Sequence, residues 1–329
     1  MAGDKQIVVF GAGGHTGRFV VAELERRGWR AVLAGRETER LREVAAAYPA
    51  LEVRAARVEE AGELDGVLRG AAAVIHCAGP FLDTAAPVVE AALRARIHYL
   101  DVTAEQASAL ATFGYAEAAE AAGIAIVPAM AFYGGLADLL ATAAVADWPD
   151  VDELRTAVAL DRWWPTRGTR LTGARNTVPR VVIRDHQRAQ LAPATPMFHT
   201  FPAPFGRQPV AVVPMSEIIT ISRHLRCAQV DTVINLAPLE DLRDPETPPP
   251  AATDATGRSA QRFVMEVTAR RAGETRRLRA RGQDIYATTA TIIVEAAVRL
   301  LDGRARCTGA RAAGELFDAR DFLATLALD

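Results

Sequence analysis

The sequence predicts an α/β chain, in which a doubly wound parallel sheet is followed by a second, mostly antiparallel α+β domain. Over residues 1–148, short apolar runs alternate strictly with alanine-rich helical patterns, which implies parallel strands joined by right-handed crossovers. Over residues 149–285, β-branched runs dominate, which points to antiparallel pairing. Residues 286–329 return to helix and are expected to pack back on the first domain.

In order, residues 7–10 are all apolar, as in a strand buried on both faces. A glycine-rich turn leads to a helix over 16–27 that stops at Gly28. Residues 31–34 form the second strand. Thr38 caps a helix running to 47, and Pro49 closes it. Strands at 51–55, 73–77, 99–102 and 124–127 alternate with helices at 62–68, 85–95 and 105–122. A helix over 136–146 ends the unit. The second domain has strand patterns at 154–160, 178–184, 210–213, 218–221, 230–235, 262–270 and 276–282, the last two forming a hairpin around Ala272-Gly273-Glu274. Residues 244–259, with Pro248-Pro249-Pro250, read as an exposed, mobile loop. Helices over 286–301 and 318–328 complete the chain.

Composition narrows the function classes. The chain has 329 residues, half of them hydrophobic, and 38 basic against 40 acidic side chains, a net charge of −2. That near-neutral balance gives no reason to expect nucleic acid or an anionic membrane as partner. The apolar stretch at 122–146 is broken by Pro128, Gly134-Gly135 and Asp138, so it reads as strand, turn and buried helix rather than a membrane span. Three scattered cysteines, Cys77, Cys227 and Cys307, form no disulfide framework. With a start at MAGDKQ that lacks a secretory pattern, the expected location is cytoplasmic.

The sharpest motif is Gly11-Ala12-Gly13-Gly14-His15-Thr16-Gly17, between an apolar strand and a helix, the context of a Rossmann dinucleotide fingerprint. Gly11 permits the tight turn. Gly13 and Gly14 leave room for a pyrophosphate, and Gly17 lets helix and strand pack closely. The helix N-terminus and Thr16 supply donors to phosphate. The second strand ends Leu33-Ala34-Gly35-Arg36, with no carboxylate before Glu37. An NAD site usually has an acid there to bind the ribose hydroxyls. Arg36, helped by Arg40, suits a 2′-phosphate instead, so the expected cofactor is NADP(H). Further contacts fall at strand ends: Arg57-Val58 near the adenine, and Cys77-Ala78-Gly79-Pro80 near the nicotinamide ribose. Cys77 itself reads as a buried small hydrophobe, since no base accompanies it.

At these residues the chain resembles the saccharopine dehydrogenase-like oxidoreductases. The resemblance rests on GAGGHTG at 11–17, LAGR at 33–36, CAGPF at 77–81 and YLDVTAE at 99–105. EIITISRHL at 217–225 and GQDIYATTA at 282–290 resemble segments of shorter members, trans-acting enoyl reductases among them. The resemblance is strong over the first 150 residues and looser after. It implies an NADPH-dependent reductase with a mixed or antiparallel substrate domain. The family's Gly-Phe-Asp-Ser-x-Pro-type segment stands here as residues 128–135, without its Asp-Ser pair, so no catalytic role carries over from it.

Hydride transfer needs orientation, a dry site and a proton donor. Tyr133 and Asp101 are the catalytic candidates. Thr103 adjoins Asp101, and His224 and Tyr286 are weaker candidates. Substrate-contact candidates are Phe81, Thr103, Phe132, Trp163, Trp164 and Arg170. The segment 162–188 holds seven arginines against Asp185. It reads as a carboxylate site, a docking face for an acidic carrier, or a solvated strand. No catalytic triad or metal-ligand spacing is present. The expected reaction is reduction of a C=N bond in a small biosynthetic intermediate. Reduction of a carrier-bound enoyl chain, or non-catalytic NADP(H) sensing, stay open. A homodimer is expected.

Overall fold

A computed structural model describes residues 5–193 and 195–329. Residues 1–4, on which part of the reading of the N-terminus rests, lie outside the described residues. The first half alternates β1 (Gln6–Phe10), α1 (His15–Arg26), β2 (Arg30–Gly35), α2 (Thr38–Ala47), β3 (Glu52–Ala55), α3 (Ala61–Leu68), β4 (Ala71–His76), α4 (Phe81–Ala95) and β5 (His98–Asp101). Two helices follow, α5 (Gln106–Phe113) and α6 (Ala116–Ala122), where the sequence predicts one. The backbone between them tightens at Gly114, whose N–H bonds Ala111 O. Then come β6 (Ala125–Val127), a π-turn (Phe132–Leu136) and α7 (Ala137–Val145).

The second sheet starts with β7 (Val151–Leu160). After it come α8 (Arg167–Arg175), β8 (Val181–Arg184), β9 (Gln187–Gln190), β10 (Met197–Thr200), β11 (Arg207–Val212), α9 (Glu217–His224), β12 (Cys227–Asn235), α10 (Leu236–Arg243), β13 (Arg262–Arg271) and β14 (Glu274–Gln283). The chain ends with α11 (Ile285–Leu301), β15 (Gly309–Ala310), α12 (Ala313–Leu316) and α13 (Ala319–Ala324).

The first sheet is parallel throughout, in the order β15-β6-β5-β4-β1-β2-β3. This is the doubly wound arrangement with its switch point between β1 and β4. Side chains alternate across it. Ile7 and Val9 enter one buried cluster with α1 and α11, while Val8 and Phe10 enter another with α3 and α4. Fifteen of the seventeen residues of α11 are buried, because it packs on α1 and against β4 and β5 as well as beneath the second sheet. The edge strand β15 is too short to register in the sequence as a strand.

The second sheet runs β10-β11-β12-β7-β13-β14, with β8 and β9 attached at β12. Most pairs are antiparallel, but β7 and β12 are parallel, so the sheet is mixed. Three sequence expectations are corrected here. Residues 218–221 are helix α9, not a strand. Ile218, Ile219, Thr220 and Ile221 are all buried, and such an apolar run fits a buried helix as well as a strand. Helices α8 and α10 had gone unrecognised. The 244–259 segment is anchored rather than loose, since Arg170 Nη2 donates to Asp244 O at 3.0 Å and Thr247 O at 2.8 Å, and Ser259 N–H donates to Asp284 at 2.7 Å. Among the described residues no helix is long and apolar enough to cross a membrane.

Candidate functional site

At the end of β1 the backbone turns with Gly11 at φ +93°. A Cβ there would sit 2.8 Å from Ala78 N, so the glycine also admits the chain leaving β4. A Cβ on Gly17 would lie 2.2 Å from Gly11 O, so α1 can reach the turn only without one. Gly13 differs from expectation: its Cβ would meet Arg40 Cβ at 2.9 Å, and its bareness therefore admits α2. No side chain caps α1, and its first N–H groups point where an anion is favoured. The bare turn and uncapped helix fit a dinucleotide pyrophosphate.

A cavity of about 640 Å³ extends from this turn across the strand ends. Gly11, Gly13, Gly14, His15, Thr16, Gly35, Arg36, Arg40 and Val58 line its outer end, with Cys77, Ala78 and Gly79 midway. Arg36 is 69% exposed, and Glu37 lies between the two arginines, 2.9 Å from Arg40 and 3.8 Å from Arg36. The His15 ring packs edge-on against Phe19 and Tyr286, and burial lowers its pKa. Gly17 and Pro80 do not line the cavity. Gly17 packs beneath the turn, and Pro80 caps α4. Arg57 turns away to Glu63, 2.7 Å distant. Burial, helped by Asp101, pushes the Cys77 thiol well up, consistent with its reading as a hydrophobe. Glu105 fixes the β4–α4 turn by accepting from Phe81 N and Leu82 N, both at 3.0 Å.

Helix α8 roofs the cavity. Its N-cap Thr166 accepts from Thr169 N at 3.0 Å, and Arg175 pairs with Asp83 of α4 at 2.8 Å. Phe81, Phe132, Tyr133, Trp163, Arg170, Arg180 and Tyr286 line the inner part. Tyr286 OH receives Trp163 Nε1–H at 3.2 Å and meets Thr169 Oγ1 at 2.9 Å. Tyr133 sits in the π-turn, its ring 6.1 Å from that of Trp163. The glycines after it serve the turn itself, since a Cβ on Gly134 would lie 2.3 Å from Ala129 O. The Tyr133 hydroxyl is buried and has no partner among the described residues.

Other candidates lie elsewhere. Asp101 is wholly buried and does not line the cavity. It accepts from Ala129 N (2.8 Å), Thr103 N (2.9 Å) and Tyr99 OH (2.9 Å), binding together the ends of β5 and β6. Burial raises its pKa to about 6 against those bonds. Thr103 is equally buried, accepting from Glu105 N at 3.1 Å. Trp164 also misses the cavity. His224 pairs with Asp138 at 2.7 Å, at the C-terminal end of α9. Two inner residues escaped the sequence reading: Glu217, hidden among isoleucines, and Arg180, one of many arginines in its segment. No group of three or more His, Cys, Asp or Glu side chains placed to hold a metal occurs among the described residues.

Residues 7–127 match the family model of the saccharopine dehydrogenase NADP binding domain. No curated protein sequence matches the chain. Among solved structures, apo histidine-tagged saccharopine dehydrogenase (L-Glu forming) from Saccharomyces cerevisiae is similar with a TM-score of 0.66 at 13% identity, covering 97% of this chain and 96% of that one. GenD2 from gentamicin A biosynthesis, in complex with NAD, gives 0.48 at 13% identity over 98% and 92%. A short-chain type dehydrogenase/reductase from Mycobacterium ulcerans gives 0.33 at 16% over 38% and 66%. The glycine turn, Arg36 and the β4 end all fall within the matched 7–127 span, and the second sheet completes the architecture. Residues 7–127 therefore resemble the saccharopine dehydrogenase NADP binding domain, and the chain as a whole shares the fold of saccharopine dehydrogenase.

Proposed function

We propose that this protein is an NADPH-dependent reductase acting on a C=N bond of a small biosynthetic intermediate. The observation that carries the reading is the single cavity joining Gly11–Thr16, Arg36 and Arg40 to the aromatic and polar groups around Tyr133. In this reading Arg36 and Arg40 exchange their shared partner Glu37 for the 2′-phosphate, and the glycine turn and α1 hold the pyrophosphate. Cys77, Ala78 and Gly79 border the nicotinamide ribose. When bound, the reduced nicotinamide supplies hydride. Phe81, Phe132, Trp163 and Tyr286 keep the inner end dry and orient the acceptor. Tyr133 hydroxyl, buried and unpartnered, donates the proton.

A second reading, reduction of a carrier-bound enoyl chain, is favoured by one feature. Ala104, Asn176, Arg180 and Met215 border both the main cavity and a second pocket of about 250 Å³. That pocket opens beside exposed Leu110 and Val178, an exit suited to an apolar tail.

The test is a binding titration of NADPH and NADH against wild type and Arg36→Glu. A charge-assisted bidentate contact is worth roughly 1.5–3 kcal/mol, so the variant should lose about 10- to 100-fold in NADPH affinity and little in NADH affinity. Equal binding of the two cofactors by wild type would refute the NADPH assignment. Turnover of a panel of imines and enoyl thioesters then separates the two reductions, and NADPH binding without any turnover would favour a sensor.

A further inference from the structure

Behind the cavity wall lies a carboxyl group that the proposed chemistry has not yet used. Glu217, the first residue of α9, is fully buried. Its Oε1 accepts from Met215 N at 2.9 Å and from Thr232 Oγ1, whereas Oε2 is buried with no partner among the described residues. Tyr133 hydroxyl is in the same condition. Two orphaned buried oxygens on neighbouring segments call for an explanation. The segments that carry them are packed together. Thr220 Oγ1 of α9 donates to Gly134 O at 3.3 Å, and a Cβ on Gly134 would come within 3.0 Å of Ser216 Oγ.

Arg180 is the third member. It lines the cavity beside Tyr133 and Met215, and it makes no ion pair or side-chain hydrogen bond among the described residues. Its neighbours in the arginine-rich segment do, since Arg175 holds Asp83 and Arg184 holds Asp231. The charges of Glu217 and Tyr133 both act on Arg180, and Tyr133 feels both partners in return.

We propose that Glu217, Arg180 and Tyr133 form a proton-supply unit, in which Glu217 restores the proton that Tyr133 gives to the substrate and Arg180 stabilises the anion left at each stage. The proposal rests on Tyr133 being the proton donor. Once the substrate has accepted hydride from a reduced nicotinamide, the Tyr133 O–H bond breaks and its proton passes to the substrate atom bearing the electron pair. The Glu217 O–H bond then breaks, and its proton restores the phenol. Solvent finally returns a proton to the Glu217 carboxylate. Neither oxygen hydrogen-bonds the other, so the proposed transfer runs through a water between them. Burial pushes the Glu217 carboxyl up to about 7, so it keeps its proton well above the ordinary carboxylate range. Other charged groups around α9 are occupied: Asp138 of α7 by His224, Glu315 of α12 by Arg223, and Asp231 of β12 by Arg155 and Arg184. Tyr286 of α11 also acts on Tyr133.

The test needs neither cofactor nor substrate. The ring carbon bearing the hydroxyl is labelled in the five tyrosines, and the Tyr133 resonance is assigned with Tyr133→Phe. In wild type that resonance should shift with pH through a midpoint near 7. The shift should vanish in Glu217→Gln. In Arg180→Gln its midpoint should move upward, because the cation that favours the carboxylate is gone. Arg180 stands in the cavity wall, so this variant still decides the matter if Glu217→Gln fails to fold. A Tyr133 resonance unmoved between pH 5 and 9, or one that titrates identically in both variants, would overturn the unit. The cofactor titration is independent: coupling can fail while NADPH binds, and NADPH binding can fail with coupling intact.

Discussion

Buried carboxyl groups are where single residues of this protein depart furthest from their ordinary behaviour. Glu217 and Asp101 both keep their protons to higher pH in the folded chain than in solvent, because burial penalises the charged form. A folded-state pKa raised above its unfolded value gives stability that is full below the unfolded pKa and lost as pH rises through the folded one. For Glu217 that window runs from 4.5 to about 7. Between pH 4 and pH 8, wild type should therefore lose up to about 3 kcal/mol of stability relative to Glu217→Gln, measured by urea unfolding of both at each pH. A constant offset between the two proteins would contradict this. Asp101 reads differently in sequence and structure for a related reason. A carboxylate at a strand end fits a catalytic acid, but three inward donors claim its oxygens and leave none for a substrate. Residue type and position were visible in the sequence; the direction of the side chain was not.

Among elements, the turn from β1 into α1 was the most legible, because glycine spacing records backbone geometry directly, although Gly13 makes room for α2 rather than for a ligand. Gly17→Ala drives a methyl into Gly11 O. Overpacking of that kind costs about 1–3 kcal/mol, and calorimetric melting should show it together with loss of NADPH binding. Gly66→Ala is the contrast, since that glycine lies inside α3 with nothing near its absent Cβ. It should stabilise by about 0.4–1 kcal/mol through the unfolded chain. If the two variants melt alike, the packing account of Gly17 is wrong. Helix α9 was misread because Ile218, Ile219 and Ile221 have strand-like residue types, and burial on every side erased the period that would have marked a helix. Helix α8 was missed because none of its residues is buried, leaving no apolar stripe to detect. Yet α8 roofs the cavity, so part of the candidate site had no hydrophobic signature at all.

For the whole molecule, the decisive contacts join distant segments. Arg170 of α8 anchors the 244–259 segment through two carbonyls, so Arg170→Ala should expose that segment. Limited trypsin digestion should cut the variant near Arg258 several-fold faster than wild type, while the melting temperature changes little. Equal cleavage rates would show that the Ser259–Asp284 bond suffices alone. Association as a homodimer also belongs to this scale. We propose it from the β10 edge of the second sheet, and native mass in solution checks it. The alternation of strand and helix, the glycine turn and the Arg36 position were determined by the sequence itself, because each depends on local backbone geometry or on residues within a few positions. The tertiary structure alone decided the parallel β7–β12 pair, the position of α11 between the two sheets, and the meeting of Tyr133, Arg180 and Glu217. Those arrangements join residues tens of positions apart in the chain, and burial and partner geometry, which no local pattern encodes, select them.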